Sequence, residues 1–405
     1  MNAHTASNVS LVPYRLGMLP LSADPVTYGH LNLIERTAEQ CRELIVLVCE
    51  NDSKRGSYLF DRDERRALVE RAVRRLGCKN VRVRDSHRLL VDEFLEAGAD
   101  VIFRGIRDDK DRAEDERQMR YHNLILPGFA DEVVYLEASD DLRDVSSTLV
   151  KAFASHYLEL TPYAPIFVKA AVEERLCGQW KIGVTGEMAS GKTWVTNELA
   201  RVLNEKGYET HIVNFDQLVR DLYAEPSGGA QLVRERLAAL LGPEVLTADR
   251  KDVDRPVLSR RMFSPETSLE TRRVIHELTA PHVVRLYRAA LAKIKGIVLI
   301  EWAQLAEMAL GTLVNHRVVV VESPDRVNFL AERGVTAAQA TNVGKAQWNT
   351  DRKIEALTEV AHRDGMGLIL HYENRRADAD TTKAKLESLA TEILAHVPKS
   401  FARKA

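Results

Sequence analysis

Residues 186–193 have the spacing Gly-x-x-x-x-Gly-Lys-Thr, which is typical of a loop that binds the phosphate groups of a nucleotide. An apolar run that begins at Trp180 precedes this loop, and a helical pattern follows it. Where a strand is followed by a glycine-rich loop and then a helix, the backbone N–H groups of the loop surround a phosphate. The N-terminus of the helix favours the negative charge of this phosphate. We expect Lys192 to reach the β- and γ-phosphates and the hydroxyl of Thr193 to bind Mg²⁺. The predicted nucleotide-binding residues of the loop are Gly186, Glu187, Met188, Ala189, Ser190, Gly191, Lys192 and Thr193.

A second group of residues suited to phosphate binding lies near the start of the chain. Thr27, Gly29 and His30 follow a predicted strand and open a predicted helix. Gly29 would let a ligand approach the backbone, and the helix N-terminus would favour an anion. Because Thr27 and His30 are three residues apart, they could lie on one face of the helix. A lone histidine is more often structural, but this one lies beside a glycine where a phosphate-binding turn is expected.

Cations and hydroxyl groups recur after other predicted strands of the first half. Lys54 follows the second strand, and Arg104 and Arg107 follow the fourth. Residues 146–148 supply hydroxyls at the start of another helix, where they suit capping or the binding of phosphate oxygens. Such groups at several strand ends indicate a polyphosphate site, which a single solvated run of charges would not explain. The hydroxyl residues are Ser146, Ser147 and Thr148.

Two charged segments of the second half also lie where chemistry could occur. Asp216 follows a strand predicted at residues 209–215 and could act as a base or lie near Mg²⁺, and the alternative is a helix N-cap. Residues 351–353, Asp-Arg-Lys, would suit a mobile lid over a site. The alternative for this segment is an ordinary solvated helix face.

Strands alternate with helices throughout the chain, which predicts the α/β class, with two parallel sheets that are covered on both faces. Ligands of such sheets bind at the carboxyl ends of the strands, where the residues above lie. Strands are predicted at residues 14–21, 44–49, 81–84, 101–103, 132–136, 209–215, 296–301, 317–321 and 367–370. Helices of the first half are predicted at residues 31–41, 63–76, 90–97 and 113–126, and a last helix at 379–396.

Length and spacing indicate two domains. A strand that feeds a phosphate-binding loop usually opens its domain, so the long chain in front of residue 180 should fold separately. Residues 158–165 interrupt the helical pattern and include two prolines, and they contain no long Gly/Ser tract. We therefore predict a first domain at residues 1–176 and a second domain, which the phosphate-binding loop opens, at residues 177–405.

Composition excludes several classes of protein. The chain has 405 residues, 45% of them hydrophobic, and its formal net charge of −2 argues against a protein that coats a nucleic acid. The first ten residues lack a signal-peptide layout, and no apolar run approaches the length of a membrane span. The four cysteines have no Cys-x-x-Cys spacing and are typical of reduced thiols. We predict a cytoplasmic protein without a nucleic-acid or membrane partner, and a homo-oligomer is compatible with the sequence.

The motifs of residues 14–176 resemble, in their order and spacing, those of phosphopantetheine adenylyltransferase, a family of nucleotidyltransferases with a Thr-x-Gly-His signature. The resemblance implies ATP as one substrate and 4′-phosphopantetheine as the other. The residues that it implies at ATP are Thr27, Gly29, His30, Arg107, Glu116, Ser146, Ser147 and Thr148. The residues that it implies at the second substrate are Ser22, Lys54, Arg104 and Asn123.

The implied chemistry fits these residue types. A 4′-phosphate is already a nucleophile, so the reaction requires no general base. The protein must hold this phosphate in line with the α-phosphate of ATP and spread the developing charge. The resemblance gives this role to His30, Lys54 and Arg104. The sequence departs from the family at Leu21, where other members have a glycine.

Residues 180–396 resemble dephospho-coenzyme A kinase. The resemblance implies that Lys192 binds the β- and γ-phosphates, that Thr193 holds Mg²⁺, and that Asp216 is the base for a 3′-hydroxyl. It also implies that Arg255, in the segment Asp-Arg-Pro-Val-Leu, contacts the substrate. The sequence departs from the family at Asn214, which replaces an aspartate, and at position 280, where Ala replaces a histidine.

Together the two resemblances predict a bifunctional enzyme that uses ATP twice to make coenzyme A from 4′-phosphopantetheine. One alternative is a fusion that adenylylates nicotinamide mononucleotide and phosphorylates nicotinamide riboside. Another keeps the adenylyltransferase and makes the kinase half a regulatory module that binds nucleotide or coenzyme A. The second alternative rests on the departures above and on the family's lid arginine, which has no clear match in this sequence; Arg333 is the nearest candidate.

Overall fold

The computed structural model describes residues 12–50, 56–262, 264, 266–332, 347–375 and 378–403. The chain divides into two compact units. Unit 1 consists of Met1–Ser155 and Leu160–Val172, and unit 2 consists of His156–Glu159 and Glu173–Ala405. The chain therefore enters unit 2 briefly, returns to unit 1, and then completes unit 2.

The sheet of unit 1 has five parallel strands in the order β3-β2-β1-β4-β5. Its central strands are continuous apolar runs because helices cover both faces of a parallel sheet. The strand order reverses between β1 and β4, and ligands bind at such a switch point, outside the carboxyl ends of the strands. The strands are β1 (Tyr14–Leu21), β2 (Cys41–Cys49), β3 (Val81–Ser86), β4 (Val101–Ile106) and β5 (Val133–Glu137).

The helices of unit 1 begin and end where local residues satisfy the backbone. Asp61 caps α2 and exchanges side-chain and backbone bonds with Glu64, while Gly77 ends this helix in a left-handed conformation at φ 74°. Asp108 caps α4 by accepting from the N–H of Asp111. The helices are α1 (Tyr28–Ala38), α2 (Arg62–Leu76), α3 (Leu90–Ala97), α4 (Asp109–His122), α5 (Ser147–Ser155) and α6 (Ile166–Val172).

The sheet of unit 2 also has five parallel strands, in the order β10-β9-β6-β8-β7. The central strand β6 is buried along its whole length and leads into the phosphate-binding loop. Its register pairs Val184 with Glu301, which pairs on its other side with Asn214. These residues therefore lie at one level near the carboxyl edge. The strands are β6 (Gln179–Gly186), β7 (Thr210–Asn214), β8 (Gly296–Glu301), β9 (Arg317–Glu322) and β10 (Leu368–Glu373).

The helices of unit 2 pack apolar faces against this sheet, and Trp180, Leu199 and Leu389 belong to one buried cluster. Among the residues that the structure describes, no helix is long and apolar enough to cross a membrane. The helices are α7 (Lys192–Glu205), α8 (Phe215–Ala224), α9 (Gly228–Leu241), α10 (Arg255–Met262), α11 (Leu269–Leu291), α12 (Arg326–Glu332), α13 (Thr350–Asp364) and α14 (Ala379–Leu394).

The fold class is confirmed: the chain is α/β and contains two parallel sheets interleaved with helices. The limits of β1, α3 and β8 agree with the prediction. Helix α1 begins three residues earlier than predicted because its cap is Thr27, and α4 begins four residues earlier because its cap is Asp108. The strand predicted at 209–215 is shorter, since Asn214 caps the next helix.

Candidate active sites

In unit 1, Thr27 and His30 form a compact turn at the start of α1. The backbone N–H of Thr27 donates to Nδ1 of His30 at 3.1 Å, and Oγ1 of Thr27 lies 2.9 Å from the same nitrogen. Because Nδ1 accepts a hydrogen bond, the proton of the neutral ring is on Nε2. The local sequence thus orients the imidazole and leaves Nε2 as its donor atom.

Gly29 brings α1 close to the segment that precedes α5. A Cβ atom at Gly29 would lie 2.9 Å from the carbonyl oxygen of Val145 and 3.7 Å from that of Leu142. The glycine therefore permits the approach of this protein backbone, whereas the sequence suggested the approach of a ligand. Ser147 strengthens the same junction, since its hydroxyl donates to the carbonyl of Pro25 at 2.7 Å.

The other hydroxyl residues of this segment differ in their surroundings. Oγ of Ser146 accepts from the N–H of Leu149 at 3.2 Å, which is a capping contact at the start of α5. Thr148 is exposed. The structure thus brings residues 146–148 beside the Thr27–His30 turn, with Ser146 and Ser147 engaged in protein contacts.

Arg104, in β4, is paired with a carboxylate of α4 that the sequence analysis did not single out. Its Nε donates to the two carboxylate oxygens of Asp115 at 2.9 and 3.1 Å, and its Nη2 also contacts Asp115. Burial raises the pKa of the neighbouring Tyr135 to about 12, and the negative charge and hydrogen bonding of Asp115 act in the same direction. A phosphate at Arg104 would therefore compete with Asp115.

Arg107 is also paired with α4. Its Nε and Nη2 donate to the carboxylate of Asp111 at 2.7 and 3.1 Å, and this hydrogen bonding is the main cause of a raised pKa of Arg107. Glu116 accepts from Nε of Arg112 at 2.9 Å. A cavity of about 860 Å³ lies beside Arg107 and α4, with a mixed lining of basic and acidic side chains that includes Arg143.

Three further predictions for unit 1 have different outcomes. Ser22 directly follows the last residue of β1, and its carbonyl accepts from Nη1 of Arg65 at 2.7 Å. Oδ1 of Asn123 accepts from the N–H of Ala130 at 3.0 Å, which is a structural contact at the end of α4. Lys54 lies outside the described residues.

The structure also places a buried polar cluster under this site that sequence reasoning missed. Asp24 is buried and accepts from the N–H groups of Leu59 and Phe60 at 2.9 and 3.0 Å and from Nζ of Lys151 at 2.9 Å. Arg65 is buried as well and joins the ends of β1 and β2. Asp24 could have been identified from the sequence, because it is an acidic residue close to the carboxyl end of a predicted strand.

In unit 2, the glycines of residues 186–193 are required by close contacts. Gly186 has φ 150°, and a Cβ there would lie 2.1 Å from the carbonyl oxygen of Val321. Gly191 has φ 83°, and a Cβ there would lie 2.1 Å from Nδ2 of Asn374, which donates to the carbonyl of Ser190 at 2.9 Å. The loop therefore fits tightly against β9 and the residue after β10. The predicted order of strand, loop and helix is observed.

Lys192 and Thr193 occupy the first turn of α7. Nζ of Lys192 donates to the carbonyl of Glu187 at 2.8 Å, and the hydroxyl of Thr193 donates to Oε1 of Glu301 at 2.6 Å. Glu301 ends β8 and is only 4% exposed, and its Oε2 is buried with no hydrogen-bond partner among the described residues. A hydroxyl beside a buried carboxylate with an unused oxygen is a donor set suited to Mg²⁺.

Charged and polar side chains from the last part of the chain hold the start of the loop. Arg326 contacts the carboxylate of Glu187, and its Nε donates to the carbonyl of Met188 at 2.9 Å. Oε1 of Gln347 accepts from the N–H of Met188 at 2.9 Å. Lys353 is fully buried, contacts Glu307, and is therefore no part of a solvated helix face.

Asp216 lies in the first turn of α8 and is exposed. The cap of this helix is Asn214, whose Oδ1 accepts from the N–H of Gln217 at 3.0 Å, so the N-cap alternative for Asp216 is wrong. Phe215 between them stacks on Trp302, with ring centroids 4.5 Å apart. Arg255, the first residue of α10, is exposed, and Arg333 lies outside the described residues.

Comparison with known proteins identifies both halves of the chain. Residues 22–153 match the family model described as cytidylyltransferase-like, and residues 180–366 match the model described as dephospho-CoA kinase. The phosphopantetheine adenylyltransferase of Staphylococcus haemolyticus (strain JCSC1435) is 36% identical over 158 residues, which cover 39% of this chain and 94% of that protein. The chain belongs to the phosphopantetheine adenylyltransferase family. It also carries a dephospho-CoA kinase domain, and ATP is the substrate that both domains imply.

Two solved structures match the chain with low TM-scores. The Thermus thermophilus protein TT1252 has a TM-score of 0.39 and 23% identity, and the match covers 54% of this chain and 97% of that one. The NadR protein in complex with NR has a TM-score of 0.31 and 12% identity, and the match covers 97% and 98%. At these scores neither likeness informs the function. The family matches do not favour the nicotinamide alternative.

Proposed function

We propose that the chain is a bifunctional enzyme of coenzyme A synthesis. Unit 1 would convert ATP and 4′-phosphopantetheine to dephospho-coenzyme A and pyrophosphate. Unit 2 would then phosphorylate the 3′-hydroxyl of dephospho-coenzyme A with a second ATP. One chain combines similarity to a phosphopantetheine adenylyltransferase with a match to the dephospho-CoA kinase family model, and this combination carries the proposal. The proposed functional domains span residues 1–176 and 177–405, and we propose a cytoplasmic location.

For adenylyl transfer, the 4′-phosphate oxygen would attack the α-phosphorus of ATP, and the bond to the pyrophosphate leaving group would break. His30 supports this step, because the Thr27 turn orients its ring and places the proton of the neutral ring on Nε2, which would donate to a phosphate oxygen. Arg104 would bind the phosphate that displaces Asp115. Lys54, which lies outside the described residues, remains a predicted contributor.

For the kinase step, the 3′-oxygen would attack the γ-phosphorus of ATP, and the bond to ADP would break. Lys192 would exchange the carbonyl of Glu187 for the β- and γ-phosphates. Asp216 is the proposed base for the hydroxyl proton, and its exposure in the first turn of α8 leaves it accessible to a substrate.

Thr193 and Glu301 would hold Mg²⁺ in this domain. The unused Oε2 of Glu301 supports this assignment, because a buried carboxylate oxygen without a donor favours a cation. When bound, the ion would neutralise charge on the β- and γ-phosphate oxygens. In other P-loop enzymes an acidic residue helps the loop Ser or Thr to hold Mg²⁺, and Glu301, at the end of β8, would take this role here.

The test is a product analysis by mass spectrometry after the protein is mixed with Mg²⁺-ATP and 4′-phosphopantetheine. Coenzyme A is the expected product. Dephospho-coenzyme A alone would support the first activity and make unit 2 a binding module. If neither product forms, the proposal is wrong.

Two single variants should separate the two reactions. We expect His30→Ala to abolish pyrophosphate release and to spare phosphorylation of supplied dephospho-coenzyme A, and Lys192→Ala to do the reverse. Each loss should be about 100-fold or more, because each side chain contacts charge that develops in its own transition state. The measurements are separate assays of pyrophosphate and ADP on folded proteins. Equal losses in both assays would contradict the two-site assignment.

A further inference from the structure

Arg326 makes an unusual pair of contacts with the phosphate-binding loop. The residue begins α12, just after β9, and its guanidinium contacts the carboxylate of Glu187. Its Nε also donates to the carbonyl of Met188 at 2.9 Å. The two side chains of the ion pair are 25% and 18% exposed, so solvent screens the pair only partly. Arg326 therefore lies directly on the first variable residues of the loop.

The acidic residue at position 187 is unfavourable for phosphate binding. A carboxylate in a loop that surrounds a polyphosphate repels the ligand unless a cation compensates its charge. Lys192, whose role in such loops is to reach the β- and γ-phosphates, has its Nζ 2.8 Å from the carbonyl oxygen of Glu187. The ammonium of Lys192 and the guanidinium of Arg326 thus meet at the same residue.

We infer that Arg326 binds the γ-phosphate of ATP, and that the carboxylate of Glu187 holds the guanidinium in this position while no nucleotide is bound. A γ-phosphate presents several anionic oxygens in the geometry that a guanidinium recognises, so it can replace the carboxylate. The same contact would stabilise charge on the phosphoryl group during transfer. This inference rests on the proposed kinase function, for which it names the arginine.

A purely structural role for the ion pair predicts a different outcome. Met188 is also held by Gln347, whose Oε1 accepts from its N–H at 2.9 Å, so the loop keeps an anchor without Arg326. If the pair only held the loop, loss of either partner would weaken the binding of every nucleotide in the same direction. If Arg326 binds the γ-phosphate, loss of the arginine and loss of the carboxylate should act in opposite directions.

The experiment measures nucleotide binding to unit 2 in the full-length protein. The four tryptophans, at positions 180, 194, 302 and 348, all lie in unit 2, so their fluorescence reports on this unit. The probes are ADP and adenylyl imidodiphosphate, which carries a non-hydrolysed γ-phosphoryl group, both with Mg²⁺. The variants are Arg326→Ala, Arg326→Lys, Glu187→Gln and, as a charge control, Arg201→Ala, whose side chain pairs with Glu198 and Glu205 on its own helix.

We expect Arg326→Ala to weaken adenylyl imidodiphosphate binding about tenfold or more relative to ADP, because the variant loses a charge-assisted hydrogen bond to the γ-phosphoryl group. Glu187→Gln should shift the same ratio towards adenylyl imidodiphosphate, because it removes the competing carboxylate. Arg326→Lys should not restore the wild-type ratio, since lysine lacks the planar fork of donors. Arg201→Ala should leave the ratio unchanged.

An unchanged ratio in Arg326→Ala, or a shift in the same direction for both partners of the ion pair, would overturn the inference. So would a wild-type protein whose unit 2 binds neither probe. Phosphorylation of dephospho-coenzyme A by the wild type is assayed in parallel, and Arg326→Ala should lower its kcat about 100-fold. If the wild type lacks this activity while the binding ratios change as expected, the proposed kinase function fails and the γ-phosphate assignment stands.

Discussion

At the scale of single residues, the pairing of Thr193 with Glu301 defines the second site more closely than the loop sequence could. The hydroxyl and the carboxylate oxygen are 2.6 Å apart, and the second carboxylate oxygen is buried without a partner in the described part of the chain. Glu301 is 108 residues away from Thr193 in the sequence. The sequence analysis identified the hydroxyl and missed the carboxylate, because the strand pairing that joins them is not local.

Glu301→Gln provides the test at this scale. The amide keeps the size and one oxygen but loses the negative charge that would attract Mg²⁺. We expect kcat for phosphorylation of dephospho-coenzyme A to fall about 100-fold, and the Mg²⁺ concentration for half-maximal rate to rise. The measurement is a Mg²⁺ titration of ADP release. Adenylyl transfer by the same preparation is the internal control, and an unaltered Mg²⁺ dependence would exclude Glu301 from the metal site.

At the scale of elements, close backbone approaches position the first site. Gly29 allows the start of α1 to contact the carbonyl of Val145, and Gly105 in β4 leaves room for the side chain of Leu33. A Cβ at Gly105 would lie 2.6 Å from Cδ2 of Leu33. Helix α1 is therefore fixed between β4 and the segment before α5, which brings the Thr27–His30 turn to the switch point of the sheet.

Gly29→Ala should disturb this arrangement. The added methyl group would lie 2.9 Å from a backbone oxygen, so the helix or the loop must move. We expect unit 1 to lose about 1–3 kcal/mol of stability, as is usual for an overpacked contact, and adenylyl transfer to fall at least tenfold. Urea unfolding and pyrophosphate release measure the two effects.

The matched control for this substitution is Gly228→Ala. Gly228 begins α9 in unit 2, and apart from its chain neighbours and the backbone of its own helix, no described atom lies within 4 Å of the position of an added Cβ. Adenylyl transfer should be unchanged in this variant. If Gly29→Ala behaved in the same way, the contact with Val145 would have no role in positioning the turn.

At the scale of the whole molecule, the chain passes between its two units more than once, and a buried charge pair lies where it enters unit 2 for the second time. Glu173 starts the second stretch of unit 2, and its Oε1 accepts from Nζ of Lys181 at 2.8 Å. Both side chains are only 5% exposed. Asn315 donates to the other oxygen of Glu173 at 2.9 Å, so the carboxylate has donors on both oxygens.

Glu173→Gln in the full-length protein should strongly destabilise unit 2. The substitution leaves the ammonium of Lys181 buried without the charge of Glu173. We expect this to lower the free energy of unfolding by about 3–5 kcal/mol. Tryptophan fluorescence during urea unfolding measures it, because all four tryptophans lie in this unit. The double variant Glu173→Leu with Lys181→Met should recover most of the loss. A similar stability for Glu173→Gln and the wild type would contradict this account.

The amino-acid sequence by itself determined the features that depend on local patterns. Apolar runs and alternating helical periods identified the α/β class, and the limits of β1, α3 and β8 followed from them. The glycine spacing of residues 186–193 predicted the loop between β6 and α7, because the tight turn requires glycine at its own positions. The motifs of both halves were sufficient to predict the families that the comparisons then identified.

The tertiary structure alone decided which charged groups meet. Arg104 pairs with Asp115 and Arg326 with Glu187, and neither pair follows from spacing. The packing of α4 brings Asp115 to Arg104, and the pairing of β6 with β9 brings the loop after β6 beside the start of α12. The cap of α8 is Asn214, although Asp216 was an equally suitable residue type, because the end of β7 sets where the helix begins. Such contacts join residues far apart in the chain, so their geometry depends on strand order and register, which local preferences do not specify.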